Sequence, residues 1–127
     1  MATEFTVMLE NRPGSLAKMG EALGEADVNI DAIQGMLLDG KGIVKFVADN
    51  PDSTAEALNA AGIAYTTREV LIVDILDQPG TLGDVARVMS SAGINIDAVY
   101  VSLSGKVVLG VDDMAGAQEV AGGMAVM

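Results

Sequence analysis

The chain contains no cysteine, no histidine and no tryptophan, and only 3% of its residues are aromatic. Without cysteine there are no disulfides and no thiolate chemistry. With histidine absent as well, a Cys/His zinc site and a Ser-His-Asp triad are both excluded. Few enzymes work with neither residue, so a non-catalytic protein is expected, with carboxylate- or lysine-based chemistry the remaining route. Positive charge is also scarce: 7 Lys and Arg stand against 18 Asp and Glu, a formal net charge of −11. The cations are scattered from Arg12 to Lys106 with no concentrated basic patch. A field of this sign repels phosphate backbones and anionic membrane surfaces, so neither nucleic acid nor membrane is an expected partner. No apolar run approaches the ~20 residues of a membrane span. Met1-Ala2-Thr3-Glu4 leads straight into a strand-like run rather than a signal peptide, and a cytoplasmic location is the expectation.

What the chain does have is 50% hydrophobic residues in a length of 127, and an internal repeat. "ENRPGSLAKMGEALGEADVNIDAI" (10–33) returns as "LDQPGTLGDVARVMSSAGINIDAV" (76–99). Overlaying 11–36 on 77–102 without gaps gives the identities Pro13/Pro79, Gly14/Gly80, Leu16/Leu82, Ala26/Ala92 and the block 29–32/95–98, Asn-Ile-Asp-Ala. A repeat of this regularity marks two copies of one supersecondary unit. A unit of ~65 residues buries only about 60% of its unfolded surface and is marginal alone, so two copies, and a second chain, are expected to support each other.

Both halves parse alike. Phe5–Leu9 and Val70–Leu76 are β-branched-rich and predict strands. Pro-Gly then breaks the strand, with Ser15 or Thr81 where a helix N-cap is wanted. Leu16, Met19, Leu23 and Ala26, matched by Leu82, Val85, Met89 and Ala92, form one apolar helix stripe expected to pack on a sheet. Gly93 suits the C′ position of the second helix, where the first has Asp27. Hairpins follow, Ile30–Leu38 with Lys41–Ala48 around Asp39-Gly40, and Ile96–Leu103 with Lys106–Val111 around Ser104-Gly105. Further helices are expected over Asp52–Ala61 and Met114–Gly123, and Ile63–Arg68 closes the first unit, so that Ile63 to Leu76 reads as one extended segment. Met8, Met19, Met36 and Met89 are expected in the core rather than at a soft-metal site.

The order is βαββαβ twice: an α+β protein of two ferredoxin-like units, residues 1–68 and 69–127, the second lacking most of its last strand. That shortfall predicts an exposed edge along Val70–Leu76, to be covered by a symmetry mate or by the chain's own N-terminus.

The repeated Pro-Gly segments and the downstream Asn-Ile resemble the ACT domain, an amino-acid-sensing module. The first copy is similar to the regulatory domain of phosphoglycerate dehydrogenase and the second to the ACT repeats of aspartate kinase. The whole chain resembles stand-alone tandem ACT proteins. The resemblance implies ligands held between ACT units, with the first βα loop of one facing strands of a neighbour. Carried onto this sequence, it implies one site with Asn11, Arg12, Pro13, Gly14 and Asn29, and another with Asp77, Gln78, Pro79, Gly80 and Asn95. Leu9 stands where the serine-sensing pattern has a histidine, and Asp77 replaces the loop Asn.

The chemistry of these residues supports that assignment independently. A loop entering a helix presents free amides and the positive dipole end, suited to a carboxylate. A glycine lets a ligand approach the main chain, Asn offers donor and acceptor together, and Asp77, Asp31 or Asp97 would complement an ammonium group. Pro-Gly is also a common turn pair, and Asn before a strand often satisfies only local backbone. Asp31 and Asp97 equally suit a solvated strand start. The expected function is a non-enzymatic module that binds an amino-acid effector and changes ACT–ACT packing, without cofactor or metal, as a homodimer or higher oligomer. The alternative is a ligand-independent oligomerisation module, or a docking module for a biosynthetic enzyme. A third comparison, with acylphosphatases through Asn11 and Arg12, is disfavoured by the short loop and the negative charge.

Overall fold

The computed structural model describes residues 2–121 and the backbone of residues 125 and 126. Along the chain come β1 (Ala2–Glu10), α1 (Ser15–Glu25), β2 (Ile30–Leu38), β3 (Lys41–Ala48), α2 (Pro51–Ala60) and β4 (Tyr65–Asp74). Then follow α3 (Thr81–Ser91), β5 (Ile96–Val101), β6 (Val107–Val111), α4 (Met114–Val120) and β7 (Ala125–Val126). Thr3–Arg68 form one compact unit, and Ala2 with the chain from Glu69 onward a second. β4 stops at Asp74, short of the expected Leu76, which is exposed.

In the first unit the strands lie in the order β2-β3-β1-β4. β1 and β2 each pair antiparallel with β3. The period of two along β1 places Phe5, Val7 and Leu9 on one face, and Phe5 lies opposite Phe46 with the rings stacked at 5.5 Å. Met19 and Leu23 of α1 and Leu58 of α2 cover that face, closing a core that excludes water from both phenylalanines. Asp39 and Gly40, at φ 51 and 77, make the tight two-residue turn joining β2 to β3.

The second unit repeats the plan with β6 between β5 and β4, and with Leu71, Val73, Met89 and Leu109 in its core. β7 pairs antiparallel with the edge of β4, Val126 opposite Val73 and Ala125 opposite Asp74. The β5–β6 hairpin is shorter than expected. Its ladder register ends at Val101 and Val107, and at the next pair the Ser102 amide donates to the Lys106 carbonyl at 2.7 Å while the Ser102 hydroxyl accepts from the Lys106 amide at 3.0 Å. α4 ends at Val120, and the predicted continuation through residues 122 and 123 lies outside the described residues.

The apolar stripe of each helix divides in a way its spacing does not reveal. Met19, Leu23, Val85 and Met89 are buried, whereas Leu16, Leu82, Ala26 and Ala92 are exposed. Leu16 and Leu82 sit in the first turn, beyond the covered part of the sheet. Of the methionines expected inside, Met19 and Met89 are buried. Met8 and Met36 are exposed, Met8 because it falls on the opposite pleat of β1 from Phe5 and Val7. Both helices close as expected at their C-termini: Asp27 and Gly93 take φ 58 and 74, and the amides of Val28 and Ile94 reach back to the carbonyls of Leu23 and Met89 at 3.0 Å.

On the first unit's other sheet face Glu4 is fully buried. Its carboxylate accepts from Arg68 Nε at 2.9 Å and has Lys45 Nζ at 3.8 Å, while Lys45 also donates to Thr6 Oγ1 at 3.1 Å. Arg68 is about a third exposed, and its removal would leave Glu4 with the more distant Lys45. Arg68→Ala is therefore expected to lower unfolding stability by roughly 1.5–3 kcal/mol in urea titration, the scale of a hydrogen bond to a charged group. A change within ~0.5 kcal/mol, the scatter of ordinary surface substitutions, would show that the pair does not brace β1 against β4.

Candidate functional site

The strand-to-helix turns after β1 and β4 differ in one respect from the other two helix starts. α2 begins at Asn50, whose side chain accepts from the Ser53 amide at 3.1 Å, and α4 begins at Asp113, whose side chain accepts from the Gly116 amide at 2.9 Å. α1 and α3 begin at Gly14 and Gly80, in left-handed conformations at φ 93 and 91, and no side chain caps either helix. Ser15 and Thr81, expected as N-caps, are instead the first helical residues. Thr81 Oγ1 turns back to the carbonyls of Leu76 and Gln78, at 2.6 and 3.0 Å. Glycine takes the required positive φ without a Cβ clash, so the cap position lies one residue upstream of Ser15 and Thr81. The Ser15 and Thr81 amides are taken by the carbonyls of Arg12 and Gln78, at 3.4 and 3.3 Å, and the two amides that follow in each helix retain their capacity for an external acceptor.

Beside the first turn lies a cavity of about 500 Å³. Asn11, Arg12, Ser15 and Leu16 form one wall and β2 residues Ile33 to Met36 the other, with Leu9 and Val44 at its inner end. A second cavity of about 510 Å³ lies on the other side of the same turn, between Arg12, Pro13, Gly14, Lys18 and the Gly62–Ala64 connection. The guanidinium of Arg12 pairs with Glu10 at 2.8 Å, and both side chains are exposed. Such a pair contributes ~1 kcal/mol at most, so Arg12 can turn to another anion at little cost. In the second unit one cavity of about 400 Å³ corresponds to the first, lined by Asp77, Gln78, Gly80 and Thr81 and faced by Val99 and Val101 of β5. Pro79 shapes that turn without lining the cavity.

Asn29 and Asn95 are not brought to these loops within their own units. Each stands at the far end of its helix, which over eleven residues is about 16 Å away. There the Asn29 amide donates to Asp49 Oδ1 at 3.0 Å while the Asp49 amide donates to the Asn29 carbonyl at 3.1 Å. Asn95 and Asp112 repeat the exchange. Asn29 Nδ2 also holds the Asp31 carboxylate at 2.9 Å. The repeated Asn-Ile-Asp therefore has a local task in joining helix to strand. Ile33, Gly35 and Lys18 line the cavities but were not singled out by sequence. Gly35 carries a detectable signal, standing where the second copy has Val101. Among the described residues no cluster of three or more His, Cys, Asp or Glu is placed to hold a metal ion, and no helix is long and apolar enough to cross a membrane.

The sequence model of a family described as an ACT domain pair matches residues 1–122. Among solved structures the chain is similar to a protein of Bacteroides thetaiotaomicron, with a TM-score of 0.91 at 24% identity over 99% of this chain and 91% of that one. It is also similar to the ligand-free regulatory subunit of aspartate kinase from Thermus thermophilus, with a TM-score of 0.71 at 20% identity over 93% of this chain and 86% of that one. The aspartokinase alpha and beta subunits match with a TM-score of 0.65 at 20% identity over 93% and 88% of the two chains. No curated protein matches. At these identities the likeness concerns the fold.

The turn glycines give a direct test of this local geometry. Gly14→Ala is expected to cost about 1–2 kcal/mol, the penalty of a side chain in left-handed backbone. Gly20→Ala, inside α1 with open space around a new Cβ, is expected to gain ~0.5–1 kcal/mol. Thermal melts of the two variants should move in opposite directions, and a stable Gly14→Ala would contradict the turn.

Proposed function

The chain belongs to the ACT domain pair family, and we propose that it is a non-catalytic regulatory module whose βα loops bind a free amino acid as effector. The observation that carries this reading is the contrast between helix starts. Asn50 and Asp113 close α2 and α4, whereas α1 and α3 open beside cavities with no side-chain cap. An amino acid's carboxylate would accept from the amides around Gly14 and from Arg12, and Asn11 would hold either end of the zwitterion. In the second unit Asp77 stands at the corresponding place, where it would complement an ammonium but repel the ligand's own carboxylate. Pro13 and Pro79 stiffen the two turns, and Gln78 offers a further amide. Asn29 and Asn95 would take part only if presented by a neighbouring ACT unit.

A bound ligand can regulate only through different affinities for two arrangements of ACT units, a coupling of commonly ~1–3 kcal/mol. A homodimer or higher oligomer in the cytoplasm would supply such arrangements. The edge strand β2 gives a second reading some support. Met36, Leu37 and Leu38 are exposed along it, as expected of a module that docks another copy or a biosynthetic enzyme without any ligand.

Calorimetry of the full chain against the twenty amino acids separates the two. At least one should bind at sub-millimolar concentration, and Arg12→Ala should weaken it about tenfold, the value of one charge-assisted hydrogen bond. An oligomer that shows no heat and no thermal shift with any of them would leave only the docking reading.

A further inference from the structure

The two loop cavities are built from equivalent parts yet differ at one floor position. Gly35 lies opposite Val44 across the β2–β3 ladder, and Val101 lies opposite Val107 across the β5–β6 ladder. Val44 and Val107 both belong to the helix-side cores, so Gly35 and Val101 occupy the same place on the same face. The fold does not demand a glycine at 35. Its backbone is not left-handed, and an added Cβ would meet Val44 Cγ2 at 3.5 Å and the Ile43 carbonyl at 3.7 Å, ordinary contact distances. What a side chain there would take up is cavity. Val101 does so in the second unit, where the cavity is about 400 Å³ against about 500 Å³ in the first.

Charge separates the two cavities in the same direction. Arg12 lines the first, beside Glu10. The second has Asp77 and, among its described lining residues, no cation. A carboxylate entering it would meet a like charge.

Resting on the amino-acid reading above, we infer that the first unit's cavity takes the ligand, that the ligand is an amino acid with an aliphatic side chain, and that Gly35 is the residue that admits it. The carboxylate lies toward Arg12 and the start of α1. The side chain lies over Gly35 against Leu16, Ile33 and Val44. Glu10, Asn11, Arg12, Ser15 and Gln34 supply the polar lining, whereas Leu16, Ile33 and Val44 are hydrocarbon, and a charged side chain laid against those three would lose its hydration unrepaid. Leu16 thereby acquires a reason to stand in an apolar stripe without entering the core. Val101 and Asp77 together bar the second cavity.

Calorimetry of the full chain with L-valine, L-leucine and L-isoleucine, against L-serine, L-lysine and L-aspartate, tests this. The aliphatic set should bind more tightly, at one per chain. Gly35→Val should weaken binding by about tenfold or more, on the scale of misplacing one or two methyl groups in a fitted pocket. Should Gly35→Val not fold, Gly35→Ala replaces it, with a several-fold loss expected. The double variant Val101→Gly with Asp77→Asn should raise the stoichiometry to two. Preference for serine, lysine or aspartate, wild-type affinity in the position-35 variant, or two ligands per wild-type chain overturns the inference while leaving amino-acid binding intact. A double variant still binding one would overturn the role given to Val101 and Asp77. Silence from all twenty amino acids removes the underlying reading itself.

Discussion

The site depends on a backbone constraint at two glycines. After β1, and again in the loop following β4, the chain must leave a strand and open a helix within a few residues, and it does so by turning Gly14 and Gly80 into left-handed conformations at φ 93 and 91. No residue with a Cβ takes that geometry cheaply. The turn aims α1 and α3 across their sheets and brings Met19 and Leu23, or Val85 and Met89, onto the core. It also moves the helix start onto a residue that has no side chain to cap it. The packing of the helix and the openness of its first turn come from the same torsion angle.

That openness has an energetic counterpart. Leu16 and Leu82 are 58% and 48% exposed, in helices whose next apolar residues are buried. At about 25 cal/mol per Å² of apolar surface, each forgoes on the order of 1 kcal/mol that a core position would provide. Exposed leucines are common, but these two stand beside cavities in corresponding places of both repeats. Apolar walls next to uncapped amides combine the two properties a zwitterion with a hydrocarbon side chain requires. The buried Glu4 with Arg68 and Lys45 lies on the other sheet face, and it serves the frame rather than the cavity.

Much of the architecture is written in short-range signals. The β-branched runs, the Asp39-Gly40 turn and the helix spacing each report a local preference, and the hairpin 30–38 with 41–48 is found at the predicted residues because its two-residue turn sets the register unambiguously. Where a local signal is ambiguous, tertiary structure decides it. Ser15 and Thr81 look like caps only if the preceding glycine is taken as loop. At the end of the second hairpin the Ser102 hydroxyl takes the Lys106 amide in place of a main-chain carbonyl, while the Ser102 amide still bonds the Lys106 carbonyl. Met8 and Met36 match the core in chemistry but not in position, Met8 through pleat parity and Met36 through its place on an edge strand.

The candidate site was legible in one wall only. Asn11, Arg12 and the glycine turns are contiguous in sequence and announced themselves by repetition. By itself the sequence determined the duplicated βαββαβ order, the positions of the turns and the absence of thiol and imidazole chemistry, because each follows from residue type and near-neighbour spacing. Only the tertiary structure decided that Ile33 and Gly35 face the first turn, that Leu16 borders a cavity, and that Asn29 and Asn95 stand at the far ends of their helices. Those facts depend on strand register and helix length, which bring together residues some twenty positions apart and separate others that the repeat had grouped.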